Sequence, residues 1–367
     1  MLIASTFSDT TGFAWAFIFR LQRAVADAVR ARGCDVVLSF AEIEGKPDAP
    51  VARFDILRAS PVQVVAFARW LRARGVRYVY ATDWPSRHLA YAVLRLFGVR
   101  RIVVHVHSSV VEPQRSPAAR GVARFAKGLL QRTPLAADAM IAVSDFVAYR
   151  LTQVGCYPAA RVTTIHNGVD VDAFRCQERA PAGPPLRIFM AGRATRYKGV
   201  QVLIEAVGRL RGRPELPAFV VEFAGDGPDL AWFKELARAR GVDAVFTFLG
   251  QVADTRSHVC ASDIVVVPSV WGEAFGLTVA EGMAAGRAVV ASRAGGIPEV
   301  TGEDGAAVLV PPGDPDALAE AIAGLLADPA RRQAMGRLAR QRVEQEFQEA
   351  ECRDAVASAV LDGFDMA

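Results

Sequence analysis

The stretch DIVVVPSVWGEAFGLTVAEGMAAGRAVVAS (263–292) runs from one apolar segment to another past two carboxylates. DIVVVPS (263–269) reads as a buried strand and RAVVAS (287–292) as a second. The Ala-, Gly- and Met-rich run between them reads as a closely packed helix starting near Leu277. Strand, helix and strand in that order form a crossover unit of a parallel sheet. Glu273 and Glu281, with seven residues between them, flank the turn from the first strand into the helix.

The same alternation extends in both directions. Before the quoted stretch come LRIFMAGR, FVVEFAGDG and VFTFLGQV; after it comes AAVLVPP. An earlier series holds MLIAST, CDVVLSF, VRYVYATD, RRIVVHVHSS, AMIAVS and RVTTIHNGVD, with amphipathic helical stretches between. Between the two series, CQERAPAGPP (176–185) loses periodicity and concentrates proline, the composition of a linker. At 367 residues, two domains are expected. Both are α/β, doubly wound parallel sheets, over 1–180 and 181–345, with a C-terminal helix over 346–367 that is expected to return to the first. Ligands of such sheets lie beyond the carboxyl ends of the strands, and two facing sheets would place them in the cleft between.

Composition narrows the function. A hydrophobic fraction of 52% with 22% charged residues describes a packed globular chain. No apolar run reaches the roughly 18–20 residues that cross a bilayer. MLIASTFSDTTG has neither the basic nor the apolar region of a signal peptide, so a cytoplasmic location is expected. The five cysteines are scattered and form no CxxC pair, which predicts reduced thiols and no metal framework. His105 and His107, the one close histidine pair, share a strand face where zinc is conceivable, but no metal is expected. Residues 1–184 carry a net +10 and residues 185–367 a net −6, so the first half is suited to an anionic partner. No aromatic-and-basic motif accompanies the charge, which argues against nucleic acid.

The second series places charged residues at its strand ends. AGRATRYKG (191–199) sets Gly192 and Arg193 after one strand and Lys198 across a short loop, a fork and a point charge suited to a phosphate pair. Gly225 and Gly227 allow a tight turn near a ligand, and Gln251 and Val252 open another loop on the same rim. Gly272 and Gly276 flank Glu273, and the helix beginning near Leu277 offers free N–H groups to an anion. Glu281 in its first turns also fits a plain dipole contact. Taken together, a diphosphate on the helix start and a carboxylate on either side for sugar hydroxyls describe a sugar nucleotide.

These residues resemble the retaining glycosyltransferases of the GT-B type, two Rossmann-like domains facing across a cleft, and specifically glycosyltransferase family 4. The resemblance rests on AGRATRYKG, FAGDGPD (223–229), FLGQV (248–252), the E-x7-E block (267–292), AGGIPEV (294–300), HNGVDVDAF (166–174) and PPGDPDALAEAI (311–322). It implies an acceptor-binding first domain and a second domain that binds the nucleotide sugar. It implies Glu281 on the ribose, Glu273 toward the donor sugar, and Arg193 and Lys198 on the diphosphate. Amides near Phe275, Gly276 and Leu277 would join them, with Gly250–Val252 at the base. Gly295 and Gly296 would shape an adjacent loop, which a turn before Pro298 also explains. His107 matches a strand-end histidine near the reacting carbon, and His105, two residues deeper, reads as a core residue. Two positions depart from the family. Gly12 stands alone where paired glycines are usual in the first loop, and His166 replaces a proline.

The activity so implied is transfer of a hexose, with retention and without metal, from a UDP-, GDP- or other nucleotide-diphosphate sugar to a saccharide or lipid-linked acceptor. Cell-envelope polysaccharide or lipopolysaccharide synthesis is the expected setting. SPAARGVARFAKGLLQR (116–132) sets Arg120, Arg124 and Lys127 on one helical face and Val122, Phe125 and Leu129 on another, suited to an anionic membrane surface or to inward packing. A sugar-nucleotide 2-epimerase of similar architecture, or a non-catalytic sugar-nucleotide binder, are the alternatives. A nicotinamide dehydrogenase is disfavoured because no first strand leads into GxGxxG.

Overall fold

A computed structural model describes residues 1–5, 13–40, 50–109, 128–176 and 183–364. The chain divides into two compact units, Met1–His166 with Glu351–Ala367, and Asn167–Ala350. The sequence reading draws its divisions after 180 and 345 instead. Residues 167–174 belong with the second unit for a physical reason: Val169 donates its N–H to Phe347 O and accepts from Glu349 N, and Phe174 is buried.

In the first unit the described strands are β1 (Leu2–Ser5), β2 (Val37–Phe40), β3 (Val51–Arg53), β4 (Tyr78–Thr82), β5 (Arg101–Val106), β6 (Ala139–Ala142) and β7 (Val162–Thr164). They form one parallel sheet in the order β3-β2-β1-β4-β5-β6-β7. The C-terminal helix Glu349–Gly363 ends at Phe364, which is fully buried with its ring 5.0 Å from that of Tyr78.

In the second unit, β8 (Leu186–Ala191), β9 (Phe219–Ala224), β10 (Phe246–Gly250), β11 (Ile264–Val267), β12 (Ala288–Ser292) and β13 (Val308–Val310) order as β10-β9-β8-β11-β12-β13. This is the 3-2-1-4-5-6 arrangement of a doubly wound sheet, whose direction of winding reverses between β8 and β11. Every residue of β11 and β12 is buried, as strands covered on both faces require. The helix Leu277–Ala284 lies close on β11, because a side chain at Gly282 would meet Val265 at 3.1 Å. That contact explains the small residues of the quoted stretch.

Helix starts follow the local sequence. Ser60 and Gln63 form a reciprocal capping box ahead of Pro61–Ala73, while Asp314 and Asp328 cap the helices that open with Pro315 and Pro329. Leu277–Ala284 differs: it begins at Gly276 (φ +105°) without a side-chain cap.

The expectation of reduced thiols does not hold throughout. Cys176 and Cys260 form a disulfide with Cα atoms 5.3 Å apart, while Cys34, Cys156 and Cys352 are free. The 84-residue separation of the bonded pair carries no sequence signature.

Candidate donor site and strand-end histidine

The loops following β8 and β11 meet where the winding of the second sheet reverses. Gly199 (φ +79°) makes the meeting possible, since a Cβ there would lie 1.8 Å from Pro268 O. Val270 N–H donates to Tyr197 O at 2.9 Å and ties the two loops together. Lys198 Nζ then donates to both oxygens of Glu273, at 2.7 and 3.0 Å, and Ser269 Oγ donates to Glu273 Oε1 at 2.5 Å. Lys198 and Glu273, at 27% and 18% side-chain exposure, form a partly buried pair that remains reachable from solvent. An ammonium has three hydrogens, so Lys198 retains one for a further acceptor.

Glu273 is fixed through its backbone as well. It bridges to Gly295, and Gly296 N–H donates to Glu273 O at 2.8 Å. A Cβ on Gly295 (φ +64°) would lie 2.1 Å from that same carbonyl oxygen. The glycine pair is thus more than a turn before Pro298: it seats the acidic loop. Glu281 lies on the helix that starts immediately beyond, partly exposed and with a partner of its own.

The remaining residues of the second unit named from sequence take these places. Arg193 is exposed and makes no ion pair among the described residues. Gly192 accepts a close approach by Gly225, whose Cβ would lie 1.8 Å from Gly192 O. Gly225 N–H in turn donates to Gly250 O, placing Gln251 and Val252 on the adjoining loop. Phe275 turns its side chain inward, 2% exposed and 5.6 Å from the ring of Phe347, leaving its backbone beside those of Gly276 and Leu277. Ser269, which the sequence reading left as the last residue of a strand, is an added member of the cluster. A hydroxyl closing an otherwise aliphatic strand was the available signal.

In the first unit, His107 follows the last residue of β5. Both ring nitrogens are buried without a hydrogen-bond partner among the described residues, and burial pushes the imidazole down to about 3, so it is neutral at ordinary pH. His105 is fully buried, as a core residue should be, with Nδ1 2.8 Å from Tyr80 Oη. Burial and the neighbouring His107 hold it well below the usual histidine range. Asp83, which the sequence reading missed, anchors the end of β5. Its Oδ1 accepts from His107 N–H at 2.7 Å and from the N–H and hydroxyl of Ser108 at 3.1 and 3.0 Å. Burial pushes this carboxyl up to about 6, against the three hydrogen bonds that favour its charged form. Gly12, and all but the end of the basic amphipathic segment 116–132, lie outside the described residues.

Comparison with known proteins agrees with this geometry. Residues 172–342 match the family described as Glycosyl transferases group 1, and residues 15–173 match Glycosyltransferase Family 4. An alpha-maltose-1-phosphate synthase of Mycobacterium tuberculosis is 31% identical over 307 residues, covering 75% of this chain and 76% of that protein. A glycogen synthase of the same organism is 29% identical over 271 residues; the aligned part covers 73% of this chain but only 64% of the synthase. The structure of Anabaena Alr3699/HepE in complex with UDP and glucose superimposes with a TM-score of 0.76 at 20% identity, covering 98% of each chain. With two parallel-sheet units of the GT-B kind and both halves matched, the chain belongs to glycosyltransferase family 4.

Proposed function

We propose that the chain transfers a hexose from a nucleotide-diphosphate sugar to a hydroxyl of a saccharide or lipid-linked acceptor, with retention and without a metal ion. Envelope polysaccharide or lipopolysaccharide synthesis is the setting, as the family resemblance implies. The observation carrying the reading is the Lys198–Glu273–Ser269 cluster beside a helix start that no side chain caps. The first N–H groups of a helix lack intrahelical partners and favour an anion. A diphosphate there receives the remaining Lys198 hydrogen and the Arg193 fork. Glu281 accepts from the ribose and Glu273 faces the donor sugar. The binding of UDP and glucose named for the Anabaena structure supports this choice of ligand.

Cleavage of the bond from the anomeric carbon to phosphate develops positive charge on the sugar and negative charge on the leaving group. Lys198, Arg193 and the helix start face the second of these, and stabilisation of charge that grows in the transition state is what accelerates a reaction. His107, neutral and at a strand end, offers hydrogen bonds without adding charge. Same-face attack, with the departing phosphate taking the acceptor proton, gives retention.

Calorimetry with UDP, GDP, ADP and dTDP tests the reading. One nucleotide should bind, and Glu281→Ala should weaken it about tenfold or more, the loss of a hydrogen bond to a charged group. Failure of all four nucleotides and of the intact sugar nucleotides would sink it. An inverted linkage in the product would overturn retention, and a rate abolished by EDTA would overturn metal independence.

A further inference from the structure

The helices Pro61–Ala73 and Leu89–Leu96 connect β3 to β4 and β4 to β5, and they pack side by side on one face of the first sheet. Each buries one side and leaves apolar residues on the other. In Leu89–Leu96, Ala90, Tyr91 and Leu94 are buried, while Leu89 and Leu96, two turns apart, stand 74% and 81% exposed. In Pro61–Ala73, Val64, Phe67, Ala68 and Leu71 are buried, while Val62 is 79% exposed and Leu57, just ahead of the helix, 62%. The segment 128–137 adjoins the second helix, because His88 N–H donates to Leu135 O and Arg95 donates to Pro134 O and Ala136 O. It adds the exposed Leu129 and Leu130. Six of the ten large hydrophobic side chains exposed among the described residues thus belong to this one layer. Such residues scattered singly need no explanation, but a gathering on one face marks an interaction surface.

The charge of the layer selects the partner. Residues 50–109 hold ten arginines, no lysine and two acids, a net charge of +8. Neither acid opposes the arginines at the surface. The Asp83 carboxyl is buried, and Asp55 is engaged by Arg58 at 3.7 Å and by Leu57 N–H at 2.9 Å. Arg58, Arg69, Arg72, Arg74, Arg77 and Arg100 are exposed. We propose that this layer docks on an anionic lipid bilayer, with Leu57, Val62, Leu89 and Leu96 entering the headgroup boundary and the arginines on lipid phosphates. Arginine offers a phosphate a fork of donors, and its apolar stem lies along hydrocarbon while the guanidinium stays among the headgroups. Apolar side chains and cations on one face are what an interfacial contact requires. The basic amphipathic segment 116–132 runs into the same layer through Leu129, Leu130 and Arg132, all exposed. Nucleic acid would engage the arginines and leave the leucines in water. A second copy of the chain would cover the leucines but set arginine against arginine across a two-fold axis. The docking does not rest on the glycosyl-transfer reading.

The test is co-sedimentation of the full chain with vesicles of phosphatidylcholine and of a phosphatidylcholine–phosphatidylglycerol mixture, in low and in high salt. Binding is expected to the mixture alone and should weaken in high salt as the charges are screened. Leu89→Ser with Leu96→Ser leaves the charge unchanged and should weaken binding about tenfold or more. Arg69→Gln with Arg100→Gln leaves the leucines unchanged and should also weaken it about tenfold or more. Leu57→Ser with Val62→Ser replaces the leucine pair if thermal melts show that variant unfolded. Absence of binding to the mixture, or equal binding to both vesicles, would overturn the proposal. A leucine variant that binds like wild type, beside a weakened arginine variant, would also overturn it and point to a polyanion such as nucleic acid. An oligomer that the leucine variant dissolves, without vesicle binding, would overturn it in favour of self-association. Nucleotide calorimetry on the same samples should be unaffected by either variant. Failure of nucleotide binding in wild type would strike the donor reading and leave the lipid result standing.

Discussion

Burial of the Asp83 carboxyl costs the folded chain free energy whenever that group is charged. Its pKa rises from 3.8 to about 6, chiefly through desolvation. The folded chain therefore binds this proton more tightly than the unfolded chain does. Stability from this group is fully present below about pH 4, is lost as the pH rises through about 6, and stays flat above. The difference amounts to about 3 kcal/mol at most. Asp83→Asn imitates the protonated acid and keeps an oxygen for His107 and Ser108. It should be more stable than wild type by about 1–3 kcal/mol near pH 7.5, with the gap closing near pH 4. Urea unfolding at the two pH values measures this. A variant less stable than wild type at neutral pH would show that the charged carboxylate, through its hydrogen bonds to His107 and Ser108, serves the fold. No sequence pattern announces Asp83, because ATDWPS reads as an ordinary strand-to-loop exit. Its meaning comes from β5, 24 residues away in the chain.

At the scale of the element, the E-x7-E block was legible in sequence as strand, turn and helix, with Glu273 in the loop after β11 and Glu281 on the helix beyond it. Two things were not legible. Lys198 and Glu273 were named separately, one for phosphate and one for sugar, whereas they form one ion pair across two loops. Gly295 and Gly296 were open to two readings, because the Glu273 carbonyl that crowds the first and accepts from the N–H of the second belongs to a loop more than twenty residues earlier. Spacing along a chain cannot show contacts of that kind. The crowding makes a prediction. Gly295→Ala incurs left-handed strain of about 1–2 kcal/mol and drives a methyl into the Glu273 backbone. Its total cost should reach about 2–4 kcal/mol, with a loss of transfer activity greater than its loss of stability explains. Gly305→Ala is the control: its φ is +90°, yet no atom lies within 4 Å of the added Cβ. It should cost the backbone strain alone, about 1–2 kcal/mol, and leave turnover unchanged. Equal effects of the two substitutions on turnover would refute the claim that Gly295 seats Glu273.

At the scale of the molecule, the two α/β series were legible because parallel strands buried on both faces leave near-continuous apolar runs separated by helical periods. Their division was less so. Proline concentrates at 176–185, but the chain joins the second unit from Asn167, through hydrogen bonds to residues 347 and 349 that sequence separation hides. The Cys176–Cys260 bond was hidden for the same reason. It closes a span that contains β8, β9 and β10 and so the Gly192–Lys198, Gly225–Gly227 and Gly250–Val252 loops, while Glu273 and Glu281 lie outside. By chain entropy, closing a span of this length in the unfolded state is worth about 4.5 kcal/mol, and measured bonds typically give about 2–4. Dithiothreitol should therefore lower the unfolding free energy of wild type by about 2–4 kcal/mol, and Cys260→Ser should show the same loss with no further response to reductant. Nucleotide affinity should survive reduction, because the site loops are held by their own contacts, among them Gly192 N–H to Ala224 O and Gly225 N–H to Gly250 O. Urea unfolding and nucleotide calorimetry with and without reductant check both halves. Wild-type stability indifferent to reductant would mean the two thiols stay apart in solution, whereas affinity lost on reduction would make the disulfide part of the donor site.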